Sequence, residues 1–276
     1  MRTTESLDEL RKIRASKTGT FGLVPTMGAL HAGHASLVAR ARAECRHVGV
    51  SIFVNPSQFG PGEDYANYPR SADRDLAMLE KLGADVVWIP RPETIYPPGF
   101  QTWVTVEEAA MPLEGSCRPG HFRGVATVVA KLFNCFKPDK AYFGQKDAQQ
   151  VVVLRRMALD LNFPVELVVC PTVREPDGLA MSSRNAYLNP EERKAAIVLF
   201  RALSAAKQKY EQGERNAEAL RETMRSLLRA EHLADPEYVS AADPESLREL
   251  DTVGKGVLLS MAVRIGKARL IDNILI

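Results

Sequence analysis

Cysteine is scarce. Its four copies, Cys45, Cys117, Cys135 and Cys170, form no C-x-x-C pair and have no histidine at zinc-finger spacing. That excludes a disulfide framework and a zinc module, and the four read as reduced thiols of a cytoplasmic protein. Long apolar runs are absent too: none approaches the ~20 residues that span a bilayer. The N-terminal stretch MRTTESLDELRKIR lacks the apolar core of a secretory signal. Neither sign of charge dominates. Thirty-six Lys and Arg against 34 Asp and Glu leave a net +2, and no basic run offers a nucleic-acid footprint. Neither a repeat nor a low-complexity segment is present. What remains is an ordinary globular mixture, 45% hydrophobic and 25% charged over 276 residues, enough for one large domain or two modest ones.

Short apolar runs alternate with helical patterns through the first two-thirds. TFGLVPT, HVGVSIFVN, ADVVWIP, KAYFGQ and PVELVVCPT read as buried strands. ASLVARARAEC, SADRDLAMLEKLG, GHFRGVATVVAKLFNCFKP and AQQVVVLRRMALDLN read as the helices between them. Strand and helix in alternation predict an α/β fold, a Rossmann-like parallel sheet with helices on both faces. Such sheets bind ligands beyond the carboxyl ends of their strands. The character changes near Tyr187. NPEERKAAIVLFRALSAAKQKYEQGE opens with Asn189 as N-cap, Pro190 at N1 and Glu192 at N3, and reads as one long amphipathic helix. NAEALRETMRSLLRAEH reads as another, and PEYVSAAD, GVLLSMAVRIG and ARLIDNILI as strands. The expected division is residues 1–184, a nucleotide-binding Rossmann-like domain, and 185–276, a smaller α+β domain.

Four segments sit where ligands should be. PTMGALHAGH (25–34) follows the first of those strands. Gly28, Ala29 and Gly33 allow close backbone approach, the next helix offers free N–H groups and a positive dipole end, and His31 and His34 lie one turn apart facing the same anion site. The plain alternative is a tight turn with two surface histidines. Asn55 and Gln58 in NPSQFG follow the next strand; an amide both donates and accepts, which suits a hydroxy-acid, although N-P also begins ordinary turns. GPGEDYANYPR beyond them is either a lid or a surface loop. FGQKDAQQ supplies Gly144, then Lys146 as a phosphate ligand, Asp147 for a ribose hydroxyl or a helix N-cap, and Gln150. LAMSSRN places Ser182, Ser183 and Arg184 behind Met181, an oxyanion grip or a helix cap with a solvated arginine. RPGHFRGV carries Arg118, His121 and Arg123, which a helix start explains equally well. Asp73 and Asp75 suggest Mg²⁺ held through water or, more plainly, a charged helix face.

Taken together and in this order, PTMGALHAGH, FVNPSQFG, YFGQKD with Gln150, and PTVREPDGLAMSSRN resemble the pantothenate synthetase (pantoate–beta-alanine ligase) family, a branch of the H-x-G-H nucleotidyltransferases. The resemblance implies ATP-dependent ligation of (R)-pantoate to beta-alanine through a pantoyl adenylate, releasing AMP and pyrophosphate, with Mg²⁺, in a cytoplasmic homodimer. It implies an ATP site from Met27, Gly28, Ala29, Leu30, His31, Ala32, Gly33 and His34, with His34 as proton donor. Gly144, Gln145, Lys146 and Asp147, the adenine contact Val173, and Met181, Ser182, Ser183 and Arg184 complete it. Lys146, His31 and His34 are the implied catalytic groups. Gln58 and Gln150 would hold pantoate, Gln58 also beta-alanine, with Asn55 beside them. Asp75 is the candidate metal ligand; Arg74, where some relatives carry an acid, argues against a purely protein-ligated ion.

Three other readings compete. Another H-x-G-H adenylyl- or cytidylyltransferase would need no amine to complete its reaction. An aminoacyl-tRNA synthetase fragment would call for a basic surface that the charge balance does not offer. A silent nucleotide-binding regulator could lose His34 or Lys146, and both are present.

Overall fold

The computed structural model describes all 276 residues. In chain order it begins β1 (Arg2–Thr4), α1 (Leu7–Ala15), β2 (Phe21–Thr26), α2 (Ala32–Glu44), β3 (His47–Ile52), α3 (Ala72–Lys81), β4 (Val86–Trp88), α4 (Pro92–Ile95), α5 (Glu114–Cys117) and α6 (His121–Phe136). It continues β5 (Lys140–Gly144), α7 (Ala148–Asp160), β6 (Glu166–Cys170), α8 (Pro190–Ala195), α9 (Val198–Glu211), α10 (Ala217–Arg229), β7 (Ala234–Ala242), β8 (Leu258–Ile265) and β9 (Ala268–Leu275).

Six strands form one parallel sheet in the order β1-β4-β3-β2-β5-β6. The period of two in β2 explains how both faces are covered. Phe21 and Leu23 pack with Leu10 and Ile13 of α1, Phe133 and Phe136 of α6, and Leu154 and Met157 of α7. Val24, on the opposite face, joins Val38 and Ala41 of α2 and Leu79 of α3. Each of these large side chains contributes roughly 1.5–3 kcal/mol by leaving water. From β2 the chain winds outward through β3 and β4, then returns to place β5 on the other side of β2. The sheet's switch point therefore lies between β2 and β5, and their carboxyl ends open a crevice there.

The C-terminal part is a second core. Antiparallel β7, β8 and β9 carry Leu259, Met261 and Val263 against Leu199 and Leu203 of α9 and Leu220 and Met224 of α10. This core reaches back to Leu179, before the expected boundary at 184/185. Two details differ from the sequence reading. β1, α1, α4 and α5 lie outside the expected elements, because a three-residue strand, a helix with only Leu7, Leu10 and Ile13 as large apolar residues and two four-residue helices give a weak pattern. The long helix after Asn189 is interrupted: bonds from Ile197 N to Lys194 O and Leu199 N to Ala196 O tighten the chain between α8 and α9. The capping box itself is present, Asn189 accepting from Glu191 N and Glu192 N while Glu192 accepts from Asn189 N. No helix is long and apolar enough to cross a membrane.

Candidate functional site

A cleft of about 740 Å³ opens at the switch point. The loops after β2, β3, β5 and β6 converge on it, and the β8–β9 hairpin closes one side with Arg264, Lys267 and Arg269.

The loop after β2 is bent by Gly28 at φ +83°, followed by Ala29 at φ +50°, a conformation that non-glycine residues rarely adopt. Asp75 of α3 holds it. One carboxylate oxygen accepts from Ala29 N at 2.8 Å and the other from Leu30 N at 2.8 Å. Asp75 is 1% exposed and both oxygens are spent on backbone. Asp75 thus anchors the histidine loop and does not line the cleft where it was expected to hold a metal ion. Nor does any group of three or more His, Cys, Asp or Glu side chains converge as a metal cage. Gly28, Ala29, Leu30 and Ala32 do not line the cleft either, whereas Met27, His31, Gly33 and His34 do. The former build the bend that presents the latter.

His31 caps α2, its Nδ1 accepting from Gly33 N at 3.1 Å, and His34 Nδ1 accepts from His31 N at 3.4 Å. With both Nδ1 atoms acting as acceptors, each neutral ring carries its proton on Nε2. The rings lie 4.2 Å apart between centroids. Burial, then the nearby Lys146 ammonium, lowers the His31 pKa to about 4. Burial, then His31, lowers that of His34 to about 3. Both imidazoles are thus neutral hydrogen-bond donors at pH 7. With Nδ1 accepting, His34 has an Nε2–H bond to offer an oxyanion in the cleft.

After β3, Asn55 is 1% exposed. Its Nδ2 donates to Gln58 Oε1 (3.0 Å) and to Gly124 O (3.2 Å), and its Oδ1 accepts from Tyr96 Oη (2.8 Å) and Ser57 Oγ (2.9 Å). With that amide saturated, Asn55 orients Gln58 rather than offering hydrogen bonds to a substrate. α6 approaches so closely here that a Cβ on Gly124 would lie 2.3 Å from Ser57 O. His121 Nδ1 lies 2.8 Å from Gln58 O, while Arg118 Nη1 points at His121 Nε2 (3.2 Å), so the ring donates from Nδ1. Burial and the Arg118 charge lower His121 to about 4. Gln58 keeps one donor beyond its 3.1 Å contact with Met27 Sδ.

The loop after β5 brings Gly144, Lys146, Asp147 and Gln150 to the cleft. Asp147 stands at the α7 N-cap position without a side-chain capping bond, and Lys146 Nζ lies 3.5 Å from its carboxylate. Gln145 turns away to Asn273. Val173, Met181, Ser182, Ser183 and Arg184 line the far wall. Segment 60–70 folds across it. Asp64 takes Arg184 in two bonds of 3.0 and 2.9 Å, Tyr68 Oη meets Ser183 Oγ at 3.1 Å, and Glu63 grips Arg118 at 2.8 and 2.6 Å. An anion arriving at Arg184 competes with Asp64. Arg123 instead stacks on Trp103 and is not part of the cleft. The sequence reading missed the cleft-lining hydroxyls of Ser51 and Thr172, both buried without a protein partner. It also missed the cations of the β8–β9 hairpin; neither group carries a local pattern.

The family profile of pantoate-beta-alanine ligases matches residues 1–275. The chain belongs to the pantoate-beta-alanine ligase family. It is 63% identical over 273 residues to the pantothenate synthetase of Roseiflexus castenholzii, covering 99% of this chain and 98% of that one. Among solved structures, the Thermus thermophilus pantothenate synthetase superposes with a TM-score of 0.95 at 50% identity, covering 99% of each chain. The Francisella tularensis pantoate-beta-alanine ligase, solved with beta-gamma ATP and beta-alanine, superposes with a TM-score of 0.82 at 36% identity, covering 100% of this chain and 97% of that one. The ligase fold extends over the whole chain, including the hairpin that borders the cleft.

Proposed function

We propose that the cleft joins (R)-pantoate to beta-alanine at the expense of ATP, in two steps and through a pantoyl adenylate. The observation that carries this reading is the convergence, at one switch point, of an anion grip and an amide pair. Lys146, His31, His34, Ser182, Ser183 and Arg184 form the first; Gln58 and Gln150 form the second. Membership of the ligase family supports the same reaction.

In the first step a pantoate carboxylate oxygen attacks the α-phosphorus of ATP, and the bond to pyrophosphate breaks. Nucleophile and electrophile are both anionic, so the site must cancel their repulsion and hold them in line. Lys146 supplies a full positive charge. The two neutral imidazoles supply Nε2–H donors that strengthen as charge gathers on the phosphoryl oxygens. Val173, in the loop beyond β6, takes the adenine, and Gly144 and Asp147 the ribose side. Gln58 and Gln150 orient pantoate without adding negative charge. In the second step the neutral amine of beta-alanine attacks the acyl carbon, the bond to AMP breaks, and the amine sheds a proton. A partly desolvated cleft favours the neutral amine. Magnesium held by a protein carboxylate cluster does not fit these residues, since Asp75 is committed to the loop. The ion enters this proposal only as a companion of ATP. A cytoplasmic homodimer is the proposed state of the chain; analytical ultracentrifugation tests the stoichiometry.

Rapid quench tests the two-step scheme. With ATP and pantoate alone, one equivalent of pyrophosphate should form and AMP should stay bound as the adenylate. Adding beta-alanine should release AMP and pantothenate. An adenylylated product released into solution at the pyrophosphate rate, with no need of the amine, would favour a nucleotidyltransferase instead.

A further inference from the structure

We propose that Asn273, braced by Asp272, is a positioning residue that sets Lys146 from the C-terminal domain. The proposal rests on Lys146 being the cation of the adenylation step.

Lys146 sits on a short 3₁₀ turn, Gln145–Asp147, between β5 and α7. Neither this turn nor α7 has a side-chain cap of its own. Its missing support comes from more than a hundred residues away. β9 is the edge strand of the small sheet facing this turn. Asn273 Nδ2 donates to Gln145 O at 3.0 Å and to Lys146 O at 2.8 Å, and its Oδ1 accepts from Gln145 Nε2 at 3.1 Å. Both amide hydrogens are used on consecutive carbonyls, so the backbone at Lys146 is held at two points. Asn273 is itself fixed. Its N–H donates to Asp272 Oδ1 at 2.8 Å. Arg174, just beyond β6, clasps the Asp272 carboxylate with bonds of 2.6 and 2.9 Å and reaches Asn273 O at 3.3 Å. Asp272 and Asn273 are 2% and 4% exposed. Two adjacent residues of β9 thus tie together the strand-end segments that carry Lys146 and Val173. A lysine stem is flexible, so where its ammonium can reach depends on the backbone it leaves from. A displacement of about 1 Å at a reacting group can cost ~10²-fold in rate.

The test is a double-mutant cycle read by pantoate-dependent exchange of labelled pyrophosphate into ATP. Asn273→Ala should lower the exchange kcat roughly ten- to a hundredfold, with the pantoate KM within about threefold of the parent. In a Lys146→Ala background the same substitution should cost less than about twofold, because its effect acts through the missing ammonium. Leu247→Ala is the control for general loosening. It thins the apolar part of the same junction, where Leu247 meets Leu113, Ala148 and Leu258, and should lower the melting temperature with exchange within about threefold of the parent. If Asn273→Ala does not fold by circular dichroism, Asn273→Ser, which keeps one donor, replaces it in the cycle with the same expected non-additivity. Losses that multiply in the double mutant overturn the proposal and leave the Lys146 assignment standing, as does a Leu247→Ala loss equal to that of Asn273→Ala. A Lys146→Ala enzyme with parental exchange removes the assignment beneath it.

Discussion

Replacing Asp75 by asparagine separates a metal ligand from a loop anchor. The side chain keeps its size, but one of the two oxygens facing Ala29 N and Leu30 N, each at 2.8 Å, becomes an NH₂ facing an N–H. One hydrogen bond to a charged group is lost and the other weakened, and such bonds contribute about 1.5–3 kcal/mol each. The buried N–H left without an acceptor adds roughly 1–3 kcal/mol. The expected stability loss is therefore about 3–5 kcal/mol, read as a shift of the urea midpoint with unchanged slope. The same bonds hold Gly28 and Ala29 at positive φ, so the loop should relax and misplace His31 and His34. Pyrophosphate exchange should fall by ~10²-fold, the scale of losing aligned oxyanion donors, at every Mg²⁺ concentration. A variant of parental stability whose activity returns on raising Mg²⁺ would refute the anchor and reinstate the metal ligand.

Other outcomes follow from the same geometry. Lys146→Ala should lose at least ~10²-fold in adenylation with the urea midpoint nearly unchanged, since the side chain packs little core; unaltered adenylation would remove it from the site. Gln58→Glu and Gln150→Glu place a second negative charge beside pantoate and should weaken pantoate binding by several kcal/mol, more than alanine does, with ATP affinity retained in calorimetry; the reverse pattern would mean the ligands are exchanged. Acid should destabilise the fold. The unfolded histidines take up protons below about pH 6.5, while His31 and His121 resist to about 4 and His34 to about 3. The unfolded state then binds more protons, so stability falls as pH drops through this window, by at most ~1.4 kcal/mol per pH unit for each ring and by less where solvent reaches it, as all three are partly exposed. Urea midpoints that hold constant from pH 6.5 to 4 would contradict the neutral-imidazole assignment.

Short apolar runs alternating with helical patterns made β2 to β6 and the helices α2, α3, α6 and α7 legible, and from their order the carboxyl edge as the ligand edge. Cleft residues in the segments that follow these strands, such as His34, Gln58, Lys146 and Arg184, were legible for that reason. Residues whose role depends on a distant partner were not. Nothing local in ADRDL shows that Asp75 faces the N–H groups of residues 29 and 30. Asn55 looks like a ligand until its amide is seen spent on Gln58 and Gly124. Gly28 to Leu30 share a motif with His31 and His34 yet turn away from the cleft, because the bend that presents the imidazoles needs residues on its outer side. Asn273 lies in the strand ARLIDNIL, where nothing local names its partner, and its contact with the Lys146 turn exists only once β9 has met the segment after β5.

The route of one oxygen atom tests the central claim most directly. In the proposed chemistry a pantoate carboxylate oxygen becomes the bridge to the α-phosphorus and stays there when the amine attacks the acyl carbon. With pantoate labelled by oxygen-18 in its carboxylate, ATP and beta-alanine, mass spectrometry should find one label in the phosphate of each AMP and none in pyrophosphate. Label recovered in orthophosphate with ADP as co-product, or unlabelled AMP, would contradict an acyl adenylate in this cleft.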